Sequence, residues 1–303
     1  MSAYVQKRLD AIVAGFVEQL ENGTAPWIKP YAGDGALQLP KNRLTRRPYK
    51  GLNVLILWDA MLKNGWSEPY FLTYKQCQMM EGHVKSGSKG VTVIFWGPKE
   101  RDEDQVDEET GEIKQTFIRK CYTVFNIGQC EGIQPIPKAH ISQELGAADR
   151  NPFVNEFVER AGATVVTRKG ATPAYVPSAD YIIMPPESEF IRLPEYHAAV
   201  SHELVHWSGA KHRLDRMQVC KYGDRQYAYE ELVAELGAAF LCAYLQVPLH
   251  QVQHAEYLGA WVSVLKEHPS VLWSAASKAT QAFEYLKELA KYELPEDQEA
   301  ISQ

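Results

Sequence analysis

Two stretches of ionisable residues inside apolar sequence constrain this chain more than any other feature. From Leu193 to Gly209 it reads LPEYHAAVSHELVHWSG, and from Glu230 to Leu241 it reads EELVAELGAAFL. Both have the apolar density of buried helices, so their ionisable groups are carried into a core, where leaving them unpaired is costly. Pro194 opens the first helix, and Gly209 stands where a left-handed C-cap is expected. His202 and His206 are four apart on one helical face, so their imidazoles can take two corners of a tetrahedron around a single ion. Glu203 lies about 100° further round, where it can reach a bound water without becoming a ligand. A zinc ion there would bring that water's pKa from about 16 toward ~7, and Glu203 would accept its proton.

A third ligand is expected from the second helix. Glu231 and Glu235 are again four apart, so they share a face. The order is similar to the E-x-x-A-D helix of other glutamate-liganded zinc peptidases, with Glu235 in the aspartate position. Glu231 is read as the ligand and Glu235 as the carboxylate that orients a ligating histidine through its other ring nitrogen; the reverse assignment stays open. Glu230 is read as a solvated neighbour. Tyr222, Tyr227 and Tyr229 either place a phenol near a tetrahedral oxyanion or pack against the metal helix. His197, His212, His250, His254 and His268 lack the ligand spacing and are read as surface or helix-end residues. Two histidines with one glutamate also suit a nuclease less well than a peptidase, since nuclease sites favour carboxylate-rich ligand sets.

The net charge of −6, taken whole, argues against a nucleic-acid partner, but its distribution points the other way. Residues 1–98 hold twelve Lys and Arg against seven Asp and Glu, whereas residues 141–303 hold fourteen against twenty-two. Such asymmetry between halves is the footprint of a charged partner. The segment KNRLTRRPYK (41–50) has five bases and no acid, and Lys75, Lys85 and Lys89 add to it. Aromatic residues are interleaved: Trp27, Tyr31, Trp66, Tyr70, Phe71, Tyr74 and Trp96. Bases stack on rings while cations track phosphates, so the mixture suits a single strand of DNA better than a duplex groove. Candidate contacts are Lys41, Arg43, Arg46, Arg47, Tyr49, Lys50, Lys85, Lys89 and Trp96. Most of the aromatics are nonetheless expected in the core.

The pattern along the chain is α+β with two domains. An amphipathic helix ends near Gly23, a second runs over Val54–Lys63, and Tyr70–Met80 is a short strand leading into a helix. Val91–Trp96 and Phe117–Phe125 alternate as strands do, with the acidic stretch KERDEDQVDEETGE (99–112) as an exposed hairpin tip. Three prolines between Gly132 and Pro152 mark a boundary, which gives a domain over 1–135, a linker over 136–150 and a second domain over 151–303. In the latter, a helix over Phe153–Ala161 and strands at Thr164–Thr167, Ala174–Val176 and Tyr181–Met184 precede helices near 194–207, 227–245, 250–266 and 270–291. No apolar run is long enough to span a membrane, and the N-terminus lacks the h-region of a signal peptide. Five cysteines without a C-x-x-C pair fit free thiols in a reducing cytoplasm.

These motifs, in this order, resemble the ArdC-type antirestriction proteins of conjugative plasmids. The N-terminal signatures are NRLTRRPYKGLN (42–53), FLTYKQ (71–76), VKSGSKGVTVIFW (84–96) and YTVFNIGQCEG (122–132), which are similar to a module shared with plasmid-borne primases. HELVHWSGAKHRLDR (202–216) and YEELVAELGAAFLCAYL (229–245) carry the likeness in the second half; it is looser at Ala210, where histidine is expected. The resemblance implies a DNA-binding domain followed by a gluzincin-like metallopeptidase domain, with zinc or another divalent metal such as manganese on His202, His206 and Glu231 or Glu235. It also implies protection of incoming single-stranded plasmid DNA from host restriction. Either a peptidase is brought to a protein substrate by DNA, or the chain coats DNA and the metal is structural.

Overall fold

The computed structural model describes residues 3–25, 27–28, 36–98, 117–134, 136, 147–217, 225–249 and 257–292. The acidic stretch, most of the expected linker, Tyr31, Tyr222, His250 and His254 lie outside them.

In the N-terminal half, helix α1 (Ala3–Glu21) precedes strand β1 (Lys41–Asn42) and helix α2 (Leu52–Asn64). Gly65 takes the left-handed conformation that lets its N–H and that of Trp66 close the last turn of α2. Strand β2 (Tyr70–Thr73) leads into helix α3 (Tyr74–Met79) through a capping box: the Thr73 hydroxyl accepts from Gln76 N–H, and the Gln76 side chain accepts from Thr73 N–H. Strands β3 (His83–Val84), β4 (Val91–Pro98), β5 (Phe117–Asn126) and β6 (Cys130–Glu131) follow. They form a four-stranded sheet in the order β1-β2-β5-β4 and a two-stranded ribbon of β3 with β6. The β4–β5 pairing is antiparallel and runs without slippage from Val91↔Val124 to Pro98↔Phe117.

The second half begins with helix α4 (Ala147–Ala161), which starts earlier than expected, and strands β7 (Val165–Thr167), β8 (Ala174–Val176) and β9 (Tyr181–Met184). These make a three-stranded sheet in the order β7-β9-β8, so β8 is an edge strand. Helices α5 (Leu193–Ser208), α6 (Arg225–Tyr244), α7 (Leu258–Glu267) and α8 (Ser270–Ala290) complete it. Helix α5 is buried on every side from Tyr196 to Ser208, between α6, α8 and α4 and under β8 and β9. A helix in that position has apolar residues all round, as the sequence requires.

The C-cap expected at Gly209 is a correction: its φ is −81°, right-handed. Glycine leaves space there instead: a Cβ would sit 2.8 Å from Arg216 Nη2 and 2.9 Å from Met217 Cγ, and those side chains would have to shift. The chain folds back over the end of α5, and Gly209 lets Arg216 pass.

One apolar cluster runs through both halves. Leu9, Val13 and Phe16 of α1 and Leu55 and Trp58 of α2 join Phe240 of α6, Trp261 of α7 and Leu272 of α8. Trp58 meets Phe240 with ring centroids 5.8 Å apart. Gly51 N–H donates to Thr280 Oγ1 at 2.9 Å, and α1 lies along α7. Among the described residues no helix is long and apolar enough to cross a membrane.

Candidate metal centre and nucleic-acid face

Helix α5 presents His202 and His206 side by side, with their Nε2 atoms 3.1 Å apart. Helix α6 brings Glu231 against both: Oε2 is 3.3 Å from His202 Nε2, and Oε1 is 3.6 Å from His206 Nε2. All three side chains are buried. A tetrahedral ion with ligand bonds of about 2.0–2.1 Å needs donor–donor edges of roughly 3.3–3.4 Å. The two imidazole nitrogens stand close to that spacing, each with one Glu231 oxygen beside it, and the three residues are the one His/Cys/Asp/Glu group of three or more found among the described residues that could hold an ion.

The site is a strongly coupled charge cluster. Burial opposes the His206 charge, but Glu230 and Glu231 beside it prevail and raise its pKa to about 10. Burial likewise opposes the Glu231 charge, and the two imidazoles outweigh it, holding that carboxyl well below the usual range. At His202 burial dominates and the pKa falls.

The Glu203 carboxylate reaches β8, where its Oε2 accepts the Tyr175 N–H at 2.6 Å. Glu203 lines a cavity of about 680 Å³ together with His202, His206 and Glu231. Glu235 stands behind His202, with Oε2 3.8 Å from its Nδ1. The cavity walls are rich in tyrosine. Tyr227 packs on Tyr257 at 5.7 Å, and the Tyr229 hydroxyl is 2.8 Å from Ser274 Oγ, so that phenol is engaged away from the histidines.

Glu230 requires a correction. It is largely buried, with Oε1 3.4 Å from His206 Nδ1, and it accepts a forked pair from Arg216 Nε at 3.0–3.1 Å. Arg216 Nη2 also donates to the Val205 carbonyl at 2.6 Å. His206 thus has an outer carboxylate of its own. Glu230 carries no signal for this in the sequence, because the deciding partner, Arg216, arrives through the turn that Gly209 permits. His197, read as a surface residue, is also buried, and burial lowers its pKa to about 4.

The basic segment divides. Asn42 Oδ1 accepts from Leu44 and Thr45 N–H in a turn on which Arg46 and Arg47 are exposed. Arg43 is 9% exposed and donates to the Gln134 carbonyl at 2.9 Å, so it ties the sheet to a loop rather than facing outward. Lys50 pairs with Glu284 of α8 at 3.0 Å. Tyr49 is half-buried with its ring against Phe71. Lys41 is half-buried, and Lys85 and Lys89 are exposed. Trp96 lies in β4, with its side chain outside the described set. Trp27, counted with the nucleic-acid aromatics, is buried.

Two rings outside the expected contact set are exposed instead. Phe95 (50%) and Tyr122 (43%) meet edge to face at 6.2 Å. Because Phe95 pairs with Lys120 and Val93 with Tyr122, the two rings and Lys120 share one face of the sheet. Only the register reveals this.

Comparison with known proteins follows the same division. Residues 6–125 match the N-terminal domain of anti-restriction factor ArdC, and residues 152–278 match a zincin-like metallopeptidase family. The metal-free crystal structure of the antirestriction protein ArdC from plasmid R388 superposes with a TM-score of 0.77, at 35% identity over 93% of this chain and 97% of that one. The chain belongs to the ArdC family. The Mn(II)-bound structure of R388 ArdC agrees as well, with a TM-score of 0.76 and 33% identity. The protein y4eC of Sinorhizobium fredii (strain NBRC 101917 / NGR234) is 32% identical over 91% of this chain and 90% of its own length. The DNA primase TraC of Escherichia coli is also 32% identical over 91% of this chain, but there the match spans only 20% of the primase. An ArdC-type chain thus corresponds to a minor part of that larger protein.

Proposed function

We propose that this ArdC-family chain is an antirestriction protein that binds single-stranded DNA through its N-terminal domain and hydrolyses a peptide bond at a divalent-metal centre in its C-terminal domain. The observation that carries the hydrolytic part is the convergence of His202, His206 and Glu231 close enough to share one ion, with the Glu203 carboxylate lining the same cavity. The Mn(II)-bound R388 relative and the zincin-like match support a divalent ion, for which we propose zinc or manganese. Such an ion supplies Lewis acidity, making a bound water acidic at neutral pH. Glu203 takes the water's proton and delivers it to the leaving amine. Glu235 and Glu230 orient His202 and His206 through their Nδ1 atoms. The tyrosine-lined cavity receives the substrate side chains.

For DNA, Phe95 and Tyr122 offer rings to unstacked bases, while Lys120, Arg46, Arg47, Lys85 and Lys89 meet phosphates. The proposed setting is the cytoplasm of a recipient cell receiving a single strand in conjugation.

Glu203→Gln tests the reading. The variant should keep its metal and its affinity for single-stranded DNA while peptide hydrolysis falls by about 10²–10⁴-fold. Hydrolysis at the wild-type rate would remove Glu203 as the base. Full protection of DNA by an inactive variant would separate antirestriction from hydrolysis.

A further inference from the structure

Trp27 belongs to the N-terminal half yet reaches the metal centre. Its side chain is 1% exposed, and its indole Nε1 donates to Glu235 Oε1 at 3.3 Å, across 208 positions of sequence. The other oxygen of that carboxylate faces His202 Nδ1 at 3.8 Å, and His202 Nε2 faces His206 and Glu231. The order is therefore indole, carboxylate, imidazole, ligand cluster.

Each link has a direction. An imidazole that offers the Nε2 lone pair to a cation carries its proton on Nδ1, and that proton needs an acceptor. Glu235 Oε2 faces that nitrogen at 3.8 Å, longer than a hydrogen bond, and a small turn of either group brings it within reach; the residue is set in an apolar helix between Ala234 and Leu236. The indole N–H is a donor and nothing else. Bound to Oε1, it fixes the carboxylate rotation and leaves Oε2 turned to the histidine.

We infer that Trp27 is a positioning residue of the metal centre: it sets Glu235, and through Glu235 the tautomer and orientation of His202. The inference rests on the proposed metal site and goes beyond it. The zincin-like match begins at residue 152, so part of the centre's support comes from outside that domain. Metal binding and docking of the segment around Trp27 then favour each other, since coupling between two sites is reciprocal.

An internal control exists. Trp58 is as deeply buried, and it packs on Phe240 of the same helix α6, but its Nε1 donates to the Gln38 carbonyl at 2.8 Å, within the N-terminal half. Trp58→Phe therefore disturbs the contact between the halves without touching Glu235. The measurement is Zn(II) affinity of the full chain, by competition with a chromophoric chelator. Trp27→Phe should weaken binding about tenfold, at the lower end for an outer partner of a metal ligand, and Trp58→Phe should leave it within about twofold. In a Glu235→Gln background, adding Trp27→Phe should change affinity by less than about twofold, because the two act through one link. Benzothienylalanine at position 27 keeps the ring shape and lacks the N–H; it should reproduce the loss if the phenylalanine variant folds poorly.

Wild-type affinity in Trp27→Phe would overturn the inference, as would equal losses in Trp27→Phe and Trp58→Phe, or additive losses with Glu235→Gln. Failure of the wild-type protein to bind Zn(II) or Mn(II) would instead remove the metal site itself.

Discussion

Helices α5 and α6 carry every proposed ligand, and they cross with Gly237 against Val205. An alanine Cβ at 237 would lie 2.8 and 2.9 Å from the two Val205 methyl carbons and 3.4 Å from its Cβ. Carbon atoms attract best at about 3.5–4.0 Å, so both methyl contacts are repulsive. Valine in a helix keeps a single rotamer about 90% of the time, so its methyls do not swing aside. In an open helix interior Gly→Ala stabilises by ~1 kcal/mol. Here overpacking costs about 1–3 kcal/mol, which offsets that gain and leaves a net loss of up to about 2 kcal/mol in Gly237→Ala. The helices also move apart beside His206 and Glu235, so metal affinity falls in the same variant. Urea unfolding of the metal-free protein gives the stability. A second arm fixes the cause: in Val205→Ala the space is open, and adding Gly237→Ala should stabilise by about 0.5–1 kcal/mol. A Gly237→Ala protein more stable than wild type, or the same loss with and without Val205, would refute this reading of the crossing.

Two further outcomes follow from particular residues. His197 has its pKa lowered to about 4 by burial, against an ordinary 6.5, so between those values the unfolded chain binds more protons. Its contribution to stability is present above pH 6.5 and is lost as pH falls toward 4, about 2 kcal/mol between pH 7 and pH 4.5; urea titrations at both pH values should show that part of the slope missing in His197→Gln, and an unchanged slope would contradict it. For DNA, alanine at both Phe95 and Tyr122 should cost about 1–3 kcal/mol of single-strand affinity per lost stacked base with little change in salt dependence, whereas Arg46→Glu with Arg47→Glu should flatten the salt dependence. Fluorescence anisotropy across a salt series separates the two, and identical effects from both pairs would undo the division into stacking and phosphate contacts.

Much of this molecule was legible in its sequence where a period or a spacing carried the information. Strands β8 and β9 fall on the expected residues, α5 and the Thr73–Met79 strand-to-helix junction nearly so, because alternation, proline and capping residues act locally. The convergence of His202, His206 and Glu231 was legible because two helices each placed ionisable groups four apart in apolar surroundings. What escaped depends on contacts between distant residues. Glu230 reads as solvated until Arg216 is seen folding over Gly209. Trp27 reads as one aromatic among several until Glu235 is found beside it. Arg43 and Lys50 read as free cations until Gln134 and Glu284 claim them. Phe95 and Tyr122 become a pair only when the β4–β5 register is known. The division into two halves shows in charge and composition, whereas the single core that joins them does not.

Metal counting on the purified full chain decides whether His202, His206 and Glu231 share one cation. After loading with Zn(II) or Mn(II) and removal of excess ion, wild type should retain one equivalent per chain, and His202→Ala and Glu231→Gln should each retain essentially none while staying folded. A full equivalent in either variant would place the ion elsewhere and contradict the shared site.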